Sequence, residues 1–278
     1  MTLSASPLPK RGLPPSIFWS LRQGFPPRLK LALSVTALVV PLIFWSAASY
    51  GGWVTSVYLP TPTAVISSGI QMFAEEDFIA DILASTLRVA VGFFLAGLVG
   101  IPVGILMGTF YSMDSLFSPI VGTVRYMPIV AFVPLVVIWA GIGEEAKILI
   151  IFLGSVLYNA LMVADAVKFI PDEMLNVAYT LGLNRLQVLF RVIVPAVFPS
   201  ILDTLRVNIA GAWNFLVVAE LVSAQSGLGY RIAQSQRFLQ TDKVLFCILV
   251  IGVIGLLIDY GLKTMSKVLT PWADQTRQ

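Results

Sequence analysis

The chain has no histidine and a single cysteine, Cys247, which lies inside an apolar run. Those two facts exclude an internal disulfide, imidazole-based acid–base chemistry and a His/Cys metal cluster. No G-x-x-x-x-G-K-[ST] phosphate loop occurs either, so the chain does not carry the nucleotide-hydrolysing site of any pump it serves. What remains is a set of polar residues inside apolar stretches, where a charge at mid-membrane costs about 2.5–3.5 kcal/mol even on insertion scales and therefore calls for a reason. In the stretch Ala196 to Val222, Arg206, Trp213 and Glu220 recur every seventh residue. A helix brings such residues to within ~40° of one another, on one face. Asn214 lies further round the same side, Asn208 points away, and Asp203, one turn from Arg206, is placed to pair with it. Two readings stay open. Asp203 and Arg206 sit near headgroups and simply pair or snorkel, or the face lines an aqueous path with Trp213 and Asn214 against the cargo. Arg125, inside another apolar stretch, suits either pore lining for an anionic solute or a helix–helix bond. Glu144, Glu145 and Asp242 fall in connections read as solvated outer faces.

The elements that must position these residues follow from hydropathy. Hydrophobic residues make up 57% of the 278 and charged ones 12%, with a mean hydropathy of +0.87, where a soluble domain carries about 25% charge. The fold class is therefore an all-α integral membrane protein. Six spans are expected at Leu31–Ala48, Ile82–Phe110, Leu116–Gly141, Ala146–Val167, Ala196–Val222 and Val244–Leu262. The second carries Gly100, Gly104 and Gly108 at intervals of four, the spacing that lets helix backbones approach closely. The third contains Pro119, Pro128 and Pro134 and should be kinked or broken. Residues 1–30, with six prolines and five Lys/Arg, read as an irregular cytoplasmic arm in which Ser16–Gln23 is a candidate interfacial helix. Residues 31–266 form the membrane domain and 267–278 a cytoplasmic tail.

With both termini inside, the inner side holds eleven Lys/Arg outside the spans and the outer side four, Lys147, Arg231, Arg237 and Lys243. The positive-inside rule then places the polar stretch Asn176–Ser200 in the cytoplasm. The Asp114 connection, also assigned inside, carries no Lys or Arg. Within Asn176–Ser200, Gly182 interrupts a helical pattern and suits the φ > 0 junction of two short helices, and Pro195 and Pro199 open the next apolar run. This hairpin is a shape that another protein can grip, or an ordinary connection that touches nothing.

The same stretch resembles the cytoplasmic signature loop of the membrane subunits of ATP-binding-cassette importers. Ala178, Gly182 and Pro195 match that pattern, while Asn176 stands at its acidic position and Val177 at its first alanine. The flanks are similar to those of the nitrate/sulfonate/taurine-type permeases: Leu59-Pro60-Thr61-Pro62, Arg125-Tyr126-Met127-Pro128, Phe132-Val133-Pro134-Leu135, Trp139-x-Gly141-Ile142-Gly143, Val218-Ala219-Glu220 and Ser226-Gly227-Leu228-Gly229-Tyr230. The likeness covers about residues 59 to 266. It implies a type I importer permease in the inner membrane, paired with a second permease copy around one central path. Two cytoplasmic ATPase subunits, which hold the ATP and magnesium, would grip the hairpin from about residue 168 to 194 through Asn176, Ala178, Gly182, Leu183, Arg185 and Pro195. An extracytoplasmic binding protein would deliver a small anionic solute (nitrate, bicarbonate, sulfonate or taurine class). Lipid is the other expected contact, and nucleic acid is not a partner. The competing reading is an ATP-independent secondary carrier or channel. A membrane-embedded enzyme is disfavoured because the missing histidines and lone cysteine leave poor material for a nucleophile–base or metal constellation.

Overall fold

The computed structural model describes residues 26–223 and 225–273, so the proposed interfacial helix at Ser16–Gln23 lies outside the described residues. Every regular element among them is helical. Two compact units divide the chain near Pro62. In the first, α1 (Pro27–Tyr50) starts with a proline at its first position, where the missing N–H has no helical partner to lose. The helix thus begins four residues before the arm was expected to end. Beyond it the chain folds back, and the Trp45 indole donates to the Pro60 carbonyl at 2.9 Å.

The second unit contains α2 (Pro62–Glu75), α3 (Phe78–Thr109), α4 (Tyr111–Val124), α5 (Ile129–Ala140), α6 (Glu144–Lys168), α7 (Asp172–Thr180), α8 (Arg185–Val188), α9 (Val194–Ser223), α10 (Leu228–Arg237) and α11 (Thr241–Leu269). Across the described residues five helices are long and apolar enough to cross a bilayer, and α4 with α5, bent by 98° at the break, makes a sixth if the pair is one broken span rather than a re-entrant loop. Five of the six expected spans are single helices, and the third corresponds to this bent pair. Of the three prolines in the third, only Pro128 sits at the break, as the residue before α5; Pro119 and Pro134 lie inside intact helices.

Packing centres on α3, α6 and α9. The glycine stripe of α3 lies directly on α6. A Cβ added at Gly100 would come within 2.7 Å of the Val156 carbonyl oxygen, at Gly104 within 2.5 Å of that of Ala160, and at Gly108 within 2.7 Å of that of Ala164. Backbone against backbone at this range is how helices associate where lipid removes the hydrophobic drive. The outward faces stay apolar: Leu83, Leu87 and Phe94 on α3 and Val253, Leu256 and Leu257 on α11 are exposed.

Candidate functional site

The hairpin is built by two backbone devices. At the end of α7, Gly182 adopts φ +83°; its N–H donates to the Tyr179 carbonyl at 2.9 Å, and that of Leu183 to the Ala178 carbonyl at 3.2 Å. This pair of bonds is the Schellman closure, with Ala178 and Leu183 in the accompanying apolar contact. Two residues on, the Asn184 side chain accepts from the Gln187 N–H at 3.0 Å while the Gln187 side chain accepts from the Asn184 N–H at 2.9 Å, a capping box that starts α8.

The next step differs from expectation. Pro195 and Pro199 do not open a new helix. The chain passes from α8 through a π-helical turn, Leu189–Ile193, straight into α9. Pro195 has no N–H for the Arg191 carbonyl, and the residue before it, Val194, bonds back five residues to Leu189. The wide turn absorbs the irregularity, and 38 residues from Arg185 to Val222 form one continuous rod.

The hairpin has two faces. Ala178, Val188, Leu189 and Ile193 are buried against Val163 and Val167 of α6 and Val197 and Ile201 of α9. On the other side Val177, Tyr179, Leu181, Leu186 and Phe190 are exposed, Leu181 at 75% and Phe190 at 66%. Among the residues singled out from sequence, Asn176, Gly182, Arg185 and Pro195 are on the surface, and Ala178 and Leu183 tie the hairpin to the bundle. Arg185 borders a cavity of about 460 Å³ with Lys168, Tyr111 and Tyr179. Lys168 bonds Asp114 at 3.0 Å, so the Asp114 connection takes its cation from α6 and sits at the hairpin end of the bundle.

The heptad stripe of α9 is a packing face at Trp213 and Glu220, while Arg206 is partly exposed and paired, in keeping with the pairing alternative. Arg206 is held bidentately by Asp259 of α11, at 2.5 and 3.0 Å, a partner the sequence reading did not give it. Trp213 is buried among Met72, Phe78, Val89, Leu216 and Leu228. Glu220 is 1% exposed and accepts from Ser85 Oγ, from the Gly229 N–H at 2.7 Å and from Arg88 at 2.5 Å. Polar residues turn inward here because inward is where their partners are. The exposed side of α9 runs through Val207, Ala210 and Asn214 instead.

Arg125 sits in the bend between α4 and α5, exposed, with its guanidinium 4.8 Å over the Tyr126 ring and one nitrogen 2.8 Å from the Tyr126 hydroxyl. It borders a cavity of about 480 Å³ walled by Phe132, Leu157, Tyr158 and Phe215. A second cavity, about 220 Å³, shares Gly154, Tyr158 and Phe215 with the first. Asn208 lines it, pointing away from the Arg206, Trp213 and Glu220 face as expected, and donates to Asn159 at 2.8 Å.

Sequence reasoning passed over the largest polar assembly. Arg88, on α3, is 4% exposed and bonds Glu220, both oxygens of Glu144, and the carbonyl and hydroxyl of Ser226. Glu144 also takes Lys147 at 2.8 Å, so it is no free solvated acid. Asp242, also read as solvated, accepts from Ser68. Next to them Arg231 joins Asp81 and Glu76, and Lys243 joins Glu76. Four cations meet four acids. Gly227, at φ +111°, leaves the loop room: a Cβ there would fall 2.4 Å from Glu220 and 2.6 Å from Arg88. The signal was available, since a lone arginine ten residues into an apolar helix demands a partner.

Fold and site together define a polytopic helical transport component, with an apolar handle at one end and a polar lock at the other. Residues 100–268 match the family described as the binding-protein-dependent transport system inner membrane component, and the chain belongs to that family. It is 36% identical over 257 residues to the taurine transport system permease protein of Escherichia coli (strain K12), covering 91% of this chain and 94% of that protein. It is 30% identical over 233 residues to a putative aliphatic sulfonates permease of Bacillus subtilis (strain 168), covering 84% of each, and 33% identical over 190 residues to the bicarbonate permease of Synechocystis sp. (PCC 6803), covering 68% of each. Among solved structures the fold matches a chain of the methionine ABC transporter in an inward-facing conformation, TM-score 0.62 and 19% identity over 69% of this chain and 95% of that one. It also matches a chain of an alginate importer, TM-score 0.61 and 16% identity over 87% of this chain and 98% of that one. The chain is thus an inner-membrane permease of the ABC-importer type, and importers of this type work with separate ATPase subunits and a binding protein.

Proposed function

We propose that the chain pairs with a second copy to form one path for a small anionic solute of the sulfonate, taurine, bicarbonate or nitrate class, moved from periplasm to cytoplasm. Two ATPase subunits, holding ATP and magnesium, dock on the α7–α8 hairpin; a periplasmic binding protein docks at the opposite end; both termini are cytoplasmic. The chain itself has no enzymatic role. The observation that carries the reading is the hairpin's bare apolar cap, Val177, Leu181, Leu186 and Phe190, held rigid by Schellman closure and capping box. A contiguous apolar surface of this kind in water marks a protein contact. Lys168, Arg185 and Arg191 at this end favour the cytoplasmic side. For the path, Arg125 and Asn214 remain on exposed surfaces, while Arg206, Trp213 and Glu220 serve by holding α9 in register with its neighbours.

Gly182→Pro forbids φ +83° and Arg185→Glu reverses a charge beside the cap. Each is expected to abolish copurification of the partner ATPase while the permease still inserts and purifies. Normal ATPase recovery with both would remove the hairpin from the docking role and revive the ATP-independent carrier.

A further inference from the structure

The two cavities between the α4–α5 bend, α6 and α9 share Gly154, Tyr158 and Phe215 and so lie side by side, and we read them as one chamber. Its chemistry is one-sided. Among the described residues its lining contains one arginine, Arg125, and no aspartate or glutamate. Arg125 makes no ion pair among those residues; its recorded contact is the Tyr126 ring and hydroxyl. Ser155, 2% exposed, is among the residues that line the smaller cavity, and its buried hydroxyl has no hydrogen-bond partner in the protein. Burying such a group unpaired costs about 1–3 kcal/mol, and a serine in a helix commonly avoids this by bonding the carbonyl four residues back. Here it does not. Asn208 lines the same pocket and is fixed from behind by Asn159, itself 0% exposed. Tyr158 stands where the two volumes meet. Ser155 is twelfth of 25 residues in α6 and Asn208 fifteenth of 30 in α9, so the smaller cavity lies at mid-height of both rods.

We infer that this chamber is an oxyanion subsite within the membrane: Arg125 supplies the charge at its mouth, Ser155, Tyr158 and Asn208 supply neutral hydrogen bonds at its base, and Asn159 positions Asn208. A sulfonate or a carbonate-type anion presents several acceptor oxygens to such a set, and the apolar walls of Phe132, Leu157 and Phe215 accept a short tail. A cation would find no acid to bind. The inference rests on the permease reading and names the ligand class of its path.

The test does not require the cargo to be known. The only native cysteine, Cys247, is 0% exposed. A Ser155→Cys permease in the assembled importer can therefore be labelled with two thiol reagents of similar size, the sulfonate-bearing and the trimethylammonium-bearing methanethiosulfonates. Each rate is divided by its rate with free mercaptoethanol, with and without ATP–vanadate. The expected result is at least a tenfold preference for the sulfonate reagent in one of the two states. Arg125→Gln in the same background should lower it severalfold, and millimolar ethanesulfonate should slow labelling where choline does not. A preference for the ammonium reagent, none at all, no labelling in either state, or a preference that Arg125→Gln leaves intact would overturn the subsite. Retained loss of ATPase in the hairpin variants would show that the permease reading survives such a failure; retained ATPase binding there would sink the reading instead.

Discussion

Arg88 is tied to side chains and backbone 56 to 138 residues away, on α6, on α9 and in the loop before α10. Its two acids are unequal. Glu220 is sealed, whereas the Glu144 side chain is 55% exposed. Removing one member of a buried pair leaves an uncompensated charge and costs about 3–5 kcal/mol, while an exposed carboxylate contributes on the order of 1 kcal/mol or less. Glu220→Leu should therefore lower the thermal midpoint of the purified permease sharply, and Glu144→Gln only slightly, as read by thermal unfolding in detergent. Equal shifts would contradict the division of roles. At this scale sequence and structure part company most. The 206–213–220 spacing correctly indicates a polar face, but periodicity does not say whether such a face meets water or buried partners. In an apolar bundle both satisfy it.

Elements were more legible, because their signals are local. Apolar length alone located the spans, though the helices outrun the estimates: α11 reaches from Thr241 to Leu269 where Val244–Leu262 was expected. Gly182 announced its turn and the fourfold glycines their packing. The glycines make a sharp prediction. Gly104→Ala places a methyl 2.5 Å from the Ala160 carbonyl and must push α3 from α6, an overpacking cost of about 1–3 kcal/mol. Gly122→Ala in α4 meets nothing within 4 Å and should leave the thermal midpoint unchanged or slightly higher, since alanine is the better helix former. A similar drop for both would mean that close approach is not what holds α3 to α6. The π turn was hidden because the two prolines that announce a helix start equally permit an interruption bridged by i→i+5 bonds.

For the whole molecule the consequence is mechanical. The docking cap and the membrane chamber lie on the same rod: Leu186 and Phe190 near its start, Asn208 and Gly211 along it. At about 1.5 Å per residue, Leu186 and Asn208 are separated by roughly 33 Å of continuous helix. If the ATPase docks there as proposed, its closure would reach the chamber as rigid-body motion between two packed states. Nothing in the sequence announced this, because the prolines suggested a joint where the structure has a splint. The claim can be tested by restoring the joint. Ala196→Gly and Ser200→Gly, just past the π turn, weaken the helix by about 1 and about 0.5 kcal/mol and leave the cap untouched. The doubly substituted permease should still copurify with its ATPase and hydrolyse ATP. Its Ser155→Cys labelling rate, however, should no longer change between the nucleotide-free and vanadate-trapped states, whereas the parent rate should. If the labelling still switches fully in the glycine variant, the α8–α9 rod is not the element that carries the stroke, and coupling must run through α6 and its contacts with α7 instead.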